Sequence, residues 1–428
     1  MPSLSTARRT LALASAALLI GLPAAAQGAQ PADAFFDQQW ALQAGQPLDV
    51  AHAWDISDGT GSVVAIVDSG VDLTHPDLRG ALWTNPGEKP GNGIDDDHDG
   101  FIDDVHGADF VGHDGDPTDE DGHGTHIAGI IAAQRNDLGT VGIAPGAKLM
   151  VVRVLDAANS GTTADVASGV RYALAHGATV INMSVNGDTP DDDLRAAIAQ
   201  ARSAGVPVVV SSGNNGRNLS LVPSYPASFN DPDLISVAAA GVTGLLASFS
   251  NFGSHVPLAA PGVDILSTAR GGGYELRSGT SMAAPEVAAV LALMHSARPD
   301  MAPSQLMAAL TATARRLPGL AGLLGAGEVD AVAALRSIVP ASRWEKPVLT
   351  PRVRKRAKNR ASTLITWSLA GNSAVVRAFR ITGPHGVTLA RKSAASRGIW
   401  VRIRRGAVRI TALGAAGEAV AAAVVRLR

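Results

Sequence analysis

The chain has 428 residues, 46% of them apolar and 17% charged, a composition that fits a globular protein with room for one large domain and a smaller one. The net charge of -2 hides a division: residues 342–428 hold 19 Lys and Arg against 2 Asp and Glu, a balance of +17, whereas the preceding residues hold 17 against 36, or -19. Cysteine is absent, which excludes disulfides as a source of stability.

At the amino terminus, Arg8 and Arg9 precede an apolar run from Leu11 to Leu22 and then Pro23-Ala-Ala-Ala26-Gln27. This pattern predicts an export signal over residues 1–27, and the arginine pair is compatible with a twin-arginine route. The run is too short for a durable membrane span, and no later apolar stretch reaches the ~18 residues that such a helix needs. A soluble, secreted or extracytoplasmic mature protein is expected, with residues 28–50 as its amino-terminal arm. From Gly61 to Leu335, short apolar runs alternate with amphipathic stretches, the pattern of βαβ units around a mostly parallel central sheet. Strands are predicted over Val63 to Val67, Leu149 to Val154, Thr179 to Met183, Val206 to Ser211 and Leu234 to Ala238. These runs lack polar alternation, so both faces of the sheet should be covered. Helices are predicted over His123 to Ala133, Asp165 to His176, Asp192 to Ala204, Ser281 to His295, Ser304 to Arg315 and Val329 to Ile338, closing a domain over residues 51–338. Pro340, Pro347 and Pro351, with the basic run from Arg352 to Arg360, mark a linker over residues 339–361. Beyond it, Thr363 to Trp367, Val375 to Ile381, Ile399 to Arg404 and Val408 to Thr411 read as strands, several of them with period-two alternation. They predict a small all-β, sandwich-like domain over residues 362–428.

Three segments carry chemistry: Val67-Asp68-Ser-Gly, Gly122-His123-Gly-Thr-His and Ser278-Gly-Thr-Ser281-Met-Ala-Ala-Pro. A serine hydroxyl is a poor nucleophile at neutral pH and needs an imidazole to take its proton and a carboxylate to hold that imidazole in the right tautomer. Asp68 falls at the carboxyl end of a predicted strand, where open α/β sheets build their sites. Ser281 opens a predicted helix, so its backbone N–H is placed to stabilise an oxyanion, and Pro285 about one turn in should kink that helix locally. A second oxyanion donor is needed, and Asn214, where a strand ends in Ser211-Ser-Gly213-Asn214-Asn-Gly, is the candidate. The order Asp, His, Ser differs from that of α/β-hydrolases and of chymotrypsin-like enzymes and matches subtilisin-like ones.

On these motifs the chain resembles the subtilisin-like serine endopeptidases, of the thermitase-like branch, from about Asp33 to Ile338. Gly142-Ile-Ala-Pro-Gly-Ala-Lys148, Val180-Ile-Asn-Met-Ser184, Tyr225-Pro-Ala-Ser and Phe249-Ser-Asn-Phe-Gly add to the likeness. The resemblance implies the subtilisin-like three-layer fold, with Asp68 orienting, His123 as general base and acid, Ser281 as nucleophile and Asn214 completing the oxyanion hole. It also implies a cleft that binds polypeptide as an added strand, walled by Asn159-Ser160-Gly161 and Ser184-Val185-Asn186-Gly187, with Ser211, Ser212 and Gly213 lining the pocket for the residue before the cut. Asn186 replaces the family's usual glycine, and either narrows the cleft or alters its preference, or serves loop packing. Broad or apolar preference is expected. Glu286 and Ala289 replace a usual His and Gly, and should affect helix packing rather than chemistry. A propeptide domain has no room between Gln27 and Asp33, so folding is expected to proceed unaided or with help in trans.

The stretch from Asn92 to Asp104 sets oxygen ligands at alternate positions, Asp95, Asp97, Asp99 and Asp103, around a turn-forming Gly100, as a calcium loop requires. Its twelfth position from Asp95 is His106 rather than Glu, so it is not an EF-hand; a solvated acidic turn is the other reading. The resemblance implies a second calcium site at Asp33, Asp77 and Asn136. No organic cofactor and no specific nucleic acid are expected, and a monomer is. The basic carboxyl-terminal part either binds an anionic cell-surface polymer or is a solvated face.

Overall fold

The computed structural model describes residues 31–229, 231 and 234–340, and beyond them 348–356, 363–370, 378–383, 387–393, 395–396, 398–401, 406–413 and 419–427. Residues 1–27, read as an export signal, lie outside the described residues. Among the described residues no helix is long and apolar enough to cross a membrane.

Eight strands form the central sheet: β1 (Val63–Asp68), β2 (Gly107–Asp109), β3 (Lys148–Arg153), β4 (Val180–Met183), β5 (Val208–Ser211), β6 (Leu234–Ala240), β7 (Leu258–Pro261) and β10 (Gly327–Glu328). Their order is β10-β7-β6-β5-β4-β1-β3-β2, and every neighbouring pair is parallel. The chain leaves β1 toward β3 on one side and β4 on the other, so the carboxyl end of β1 is the switch point where such sheets open a crevice. The β-branched runs that form the strands divide by period two. Val64, Ile66, Val151 and Val209 pack on one face against α2 (His123–Ala132), α5 (Thr280–Ala297), α6 (Pro303–Ala312) and α7 (Ala331–Ile338). Ala65, Val67, Val152 and Val210 pack on the other against α3 (Thr163–Ala175) and α4 (Asp192–Ala204). The result is three layers.

Capping fixes the helix limits. Thr162 accepts from the Asp165 amide at 3.1 Å and starts α3 two residues before the predicted Asp165. The Asp330 side chain accepts from the Ala333 amide, so α7 begins after Val329, the residue expected to open it. α5, buried on every side from Thr280 to Met294, is one helix through Pro285. Pro285 has no N–H to offer the Ser281 carbonyl four residues back, and the Ser184 hydroxyl donates to that carbonyl instead at 3.2 Å. A hairpin of β8 (Ile265–Ala269) and β9 (Gly273–Arg277) lies over α2, where Ser267 and Thr268 hydroxyls donate to the carbonyls of His126 and Thr125.

Residues beyond the large sheet form two antiparallel sheets. The first has the order β11-β12-β15, from Val348–Arg356, Thr363–Ala370 and Gly398–Val401; the second is β14-β13-β16-β17, from Thr388–Ser393, Ala378–Thr382, Gly406–Leu413 and Ala419–Leu427. Leu349, Ile365 and Trp367 of one share a core with Phe379, Ile381, Val408 and Ile410 of the other, as a sandwich requires. β11 occupies part of the stretch whose prolines and charges read as linker. Pro351 fits because β11 is an edge strand. The beginning of the strand expected over Val375 to Ile381 and the end of that over Ile399 to Arg404 lie outside the described residues.

Glu286 is 1% exposed, and its Oε2 has no hydrogen-bond partner. It lines a small pocket with Gln39, Trp40, Ile130 and Val141. Burial, and then the nearby Glu328 carboxylate, raise its carboxyl well above the ordinary range. The folded state therefore holds a proton that the unfolded chain releases near ~4.3, and stability falls as pH rises from there toward the folded value. Glu286→Gln should remove this loss: its thermal stability advantage over the parent should widen from pH 5 to pH 9, by at most about 1.4 kcal/mol per pH unit. An advantage that is flat with pH would show that Glu286 is ionised in the native protein.

Candidate active site

Asp68 ends β1 fully buried, and its Oδ1 accepts from the Ser69 amide at 2.8 Å and from His123 Nδ1 at 2.7 Å. His123 is the first residue of α2, reached through Gly122 at φ +110, a left-handed conformation that favours glycine. Gly124 permits the close approach: a Cβ there would sit 2.1 Å from the Gly70 carbonyl oxygen. Burial works to lower the His123 pKa, but the charge of Asp68 and its hydrogen bond outweigh burial and raise it above the ordinary value.

One buried carboxylate holds this loop in place. Asp119 Oδ1 accepts from the Ser69 hydroxyl at 2.9 Å and the amides of Asp121 and Gly122 at 3.0 and 2.8 Å. Its Oδ2 accepts from the Thr125 amide and hydroxyl at 2.9 and 2.5 Å. Ser69 Oγ in turn accepts from the Gly124 amide at 2.9 Å. Sequence reasoning missed Asp119 as a positioning residue, although it stands four residues before the histidine in an acidic cluster.

Ser281 is the second residue of α5, and both it and His123 are 9% exposed. Among the described residues no hydrogen bond joins Ser281 Oγ to His123. Asn214 lies just beyond β5, and its Oδ1 accepts from the Thr280 amide at 2.9 Å and the Thr280 hydroxyl at 3.0 Å. With the carbonyl end of the amide so occupied, Nδ2 is left to donate elsewhere. Asn251, fully buried, fixes the same loop: it donates to the Ser212 carbonyl and accepts from the amides of Asn215 and Arg217. Nothing in the segment Phe249-Ser-Asn251-Phe-Gly marks this role in the sequence.

Asn159, Ser160, Gly161, Ser184, Val185 and Asn186 line one open groove. Ser211, Ser212 and Gly213 are buried beside it. Asn186 spans to Ser211: its Nδ2 donates to the Ser211 carbonyl, and its Oδ1 accepts from the Ser211 hydroxyl, both at 2.9 Å.

Of the four acidic residues proposed for the calcium loop, Asp97 and Asp99 converge with His176, and Asp97 also converges with Glu88 and Asp104, ligand atoms in each group lying within 4.8 Å of one another. Asp103 instead accepts from the amides of Gly91, Asn92 and Gly93, and Asp95 from those of Asp99 and Gly100. His176 and Glu88 lie outside the acidic stretch, which concealed them in the sequence, whereas Asp104 ends that stretch beside Asp103, out of step with the alternating positions. At the second site Asp33 accepts from the Asn136 amide at 3.1 Å, while the Asn136 side chain accepts from the Leu138 amide. Asp77 Oδ2 accepts from the Thr140 amide and the Tyr274 hydroxyl, and its buried Oδ1 has no partner. Burial, and to a lesser degree the Asp77 charge, raise the Asp33 pKa. Two buried carboxylates, one with an orphaned oxygen, fit a cation.

A buried Asp–His pair and a helix-start serine at the carboxyl edge of a parallel sheet define the class, a serine hydrolase. A profile of the Subtilase family matches residues 59–327. Thermitase of Thermoactinomyces vulgaris is 38% identical over 292 residues, 68% of this chain and 94% of thermitase. The thermophilic serine proteinase of Bacillus sp. (strain AK1) is 41% identical over 247 residues, 57% of this chain, and the match spans 55% of that protein. A solved structure of a protease from Pseudoalteromonas arctica is 32% identical, with a TM-score of 0.60 over 73% of this chain and all of that one. The chain belongs to the subtilase family of serine endopeptidases.

Because the anion of Asp68 offsets burial, the His123 imidazole should titrate above the ordinary ~6.5 by NMR, and in Asp68→Asn its pKa should drop below that value. An unmoved titration would mean that Asp68 does not govern His123.

Proposed function

We propose that this protein is a secreted serine endopeptidase that hydrolyses polypeptides through an acyl-enzyme. Ser281 Oγ attacks the scissile carbonyl carbon as its proton passes to His123 Nε2, and Asp68 holds Nδ1–H and stabilises the imidazolium. The Ser281 amide and Asn214 Nδ2 stabilise the oxyanion. His123 then protonates the leaving amine, and water, deprotonated by the same nitrogen, hydrolyses the ester. The observation that carries this reading is the 2.7 Å bond of His123 to a fully buried Asp68.

The test is to incubate the purified protein and its Ser281→Ala form with a peptide library and read cut sites by mass spectrometry; cutting by both forms, or by neither, would overturn the reading. Asn214→Ala should fold normally and lose ~10²–10³ in kcat, the range set by such a donor in a subtilisin. Unchanged turnover would remove Asn214 from the mechanism.

Calcium is the structural cation of this proposal, because the converging donors at both acidic sites are mainly hard oxygens. Asp33 and Asp77 would hold one ion, and Asp97 with Asp99 or Asp104 another, stabilising the folded chain by mass action where disulfides are lacking. A chelator should lower the melting temperature by several degrees; no change would refute both sites. Export by the segment 1–27, a peptidase domain over 51–338 and a basic β domain over 362–428 that contacts anionic surface polymer complete the proposal, supported by the +17 balance beyond residue 341.

A further inference from the structure

We infer that Asn186 closes the side-chain slot beside the nucleophile, so that the protein selects small residues, Gly, Ala or Ser, on the acyl side of the bond it cuts. The inference rests on the peptidase reading and names the substrate class of the same site. A carbonyl held between the Ser281 amide and Asn214 has its α-carbon one bond away, so the side chain on that carbon must enter the nearest gap.

Two segments bound the gap. Residues 184–187 leave β4, residues 211–213 leave β5, and the two strands pair in register at Met183 and Val210, so the segments start on adjacent strand ends roughly 4.8 Å apart. Both are tied to the nucleophile's turn. The Ser184 hydroxyl donates to the Ser281 carbonyl at 3.2 Å, and the Gly213 amide donates to the Thr280 hydroxyl at 3.1 Å.

Asn186 bridges the two segments. Its amide donates to the Ser211 carbonyl and accepts from the Ser211 hydroxyl, both at 2.9 Å. The reversed amide would set oxygen against carbonyl oxygen, so one orientation is fixed. Ser211 is fully buried beneath it, whereas Asn186 is exposed, so the amide forms a lid over the base of the gap. The neighbouring residue is pinned as well: the Gly187 amide donates to the Tyr225 carbonyl at 2.8 Å, and the Tyr225 amide to the Gly187 carbonyl at 2.7 Å. The segment cannot swing aside without breaking both pairs. A large apolar side chain would have to displace the Asn186 amide and leave polar groups of Ser211 unpaired in a confined space, whereas a methyl or hydroxymethyl group would not.

The test uses the full chain and its Asn186→Gly and Asn186→Ala forms, folded by thermal melt, with succinyl-Ala-Ala-Pro-X p-nitroanilides where X is Gly, Ala, Leu or Phe. The parent should favour Ala over Phe in kcat/KM by about tenfold or more, and each variant should raise the Phe to Ala ratio by a similar factor. A parent that favours Phe or Leu, or a ratio that neither variant moves, would overturn the inference and leave the peptidase reading standing. Failure of the folded parent to cut any of the four, or to take up an active-serine phosphonate, would overturn both.

Discussion

The seating of α2 against the end of β1 is the constraint on which the rest depends. The two backbones come so close at Gly70 and Gly124 that no side chain fits between them, and this contact brings His123 within 2.7 Å of Asp68. Asp68, Ser69 and Asp119 are buried there, so their polar groups are paired largely from the chain itself. Asp119 supplies several, gathering the Ser69 hydroxyl, three amides and the Thr125 hydroxyl around one carboxylate. A single such bond adds only ~0.5–1.5 kcal/mol to stability, but a buried group left without its partner costs about 1–3 kcal/mol, so the loop is held as a unit.

A second polar cluster supports Ser281 on the other side of the same sheet edge. α5 is apolar along most of its buried length, yet its first turn is surrounded by Asn214, Ser184 and Gly213. Pro285 frees the Ser281 carbonyl, Ser184 occupies it, and Thr280 holds the Asn214 side-chain oxygen through its amide and hydroxyl. The two clusters arise from different strands, and the register of the parallel sheet sets the distance between them.

Much of this was legible in the amino-acid order, because the parallel strands are unbroken β-branched runs and the helices between them carry caps and 3.6-residue spacing. Asp68, His123, Ser281 and Asn214 stand in short motifs whose glycines have local reasons that a reader can work out. The supporting shell was not legible. Asp119 and Asn251 act through backbone amides of loops, and nothing in composition marks which aspartate or asparagine will be buried among amides. The acidic loop illustrates the same limit. Alternating aspartates looked equivalent, but backbone direction sends Asp103 and Asp95 to nearby amides and leaves Asp97 and Asp99 to meet His176, a residue on another element. β11 was hidden by prolines and arginines that an edge strand tolerates.

The hairpin of β8 and β9 lying over α2 has a consequence for how the molecule comes into being. It links residues far apart in the chain, as Thr268 to Thr125 does across 143 positions, and the Ser62 contact to the Ala292 carbonyl spans 230. Contacts of such wide sequence separation are slow to form, since loop closure must precede any stabilising contact. Ser281 can therefore join His123 only once the chain that supplies seven of the eight strands of the large sheet, β1 to β7, has been made. A nascent chain that stops short of residue 281 holds Asp68 and His123 without the helix-start serine that the finished fold brings to the same sheet edge.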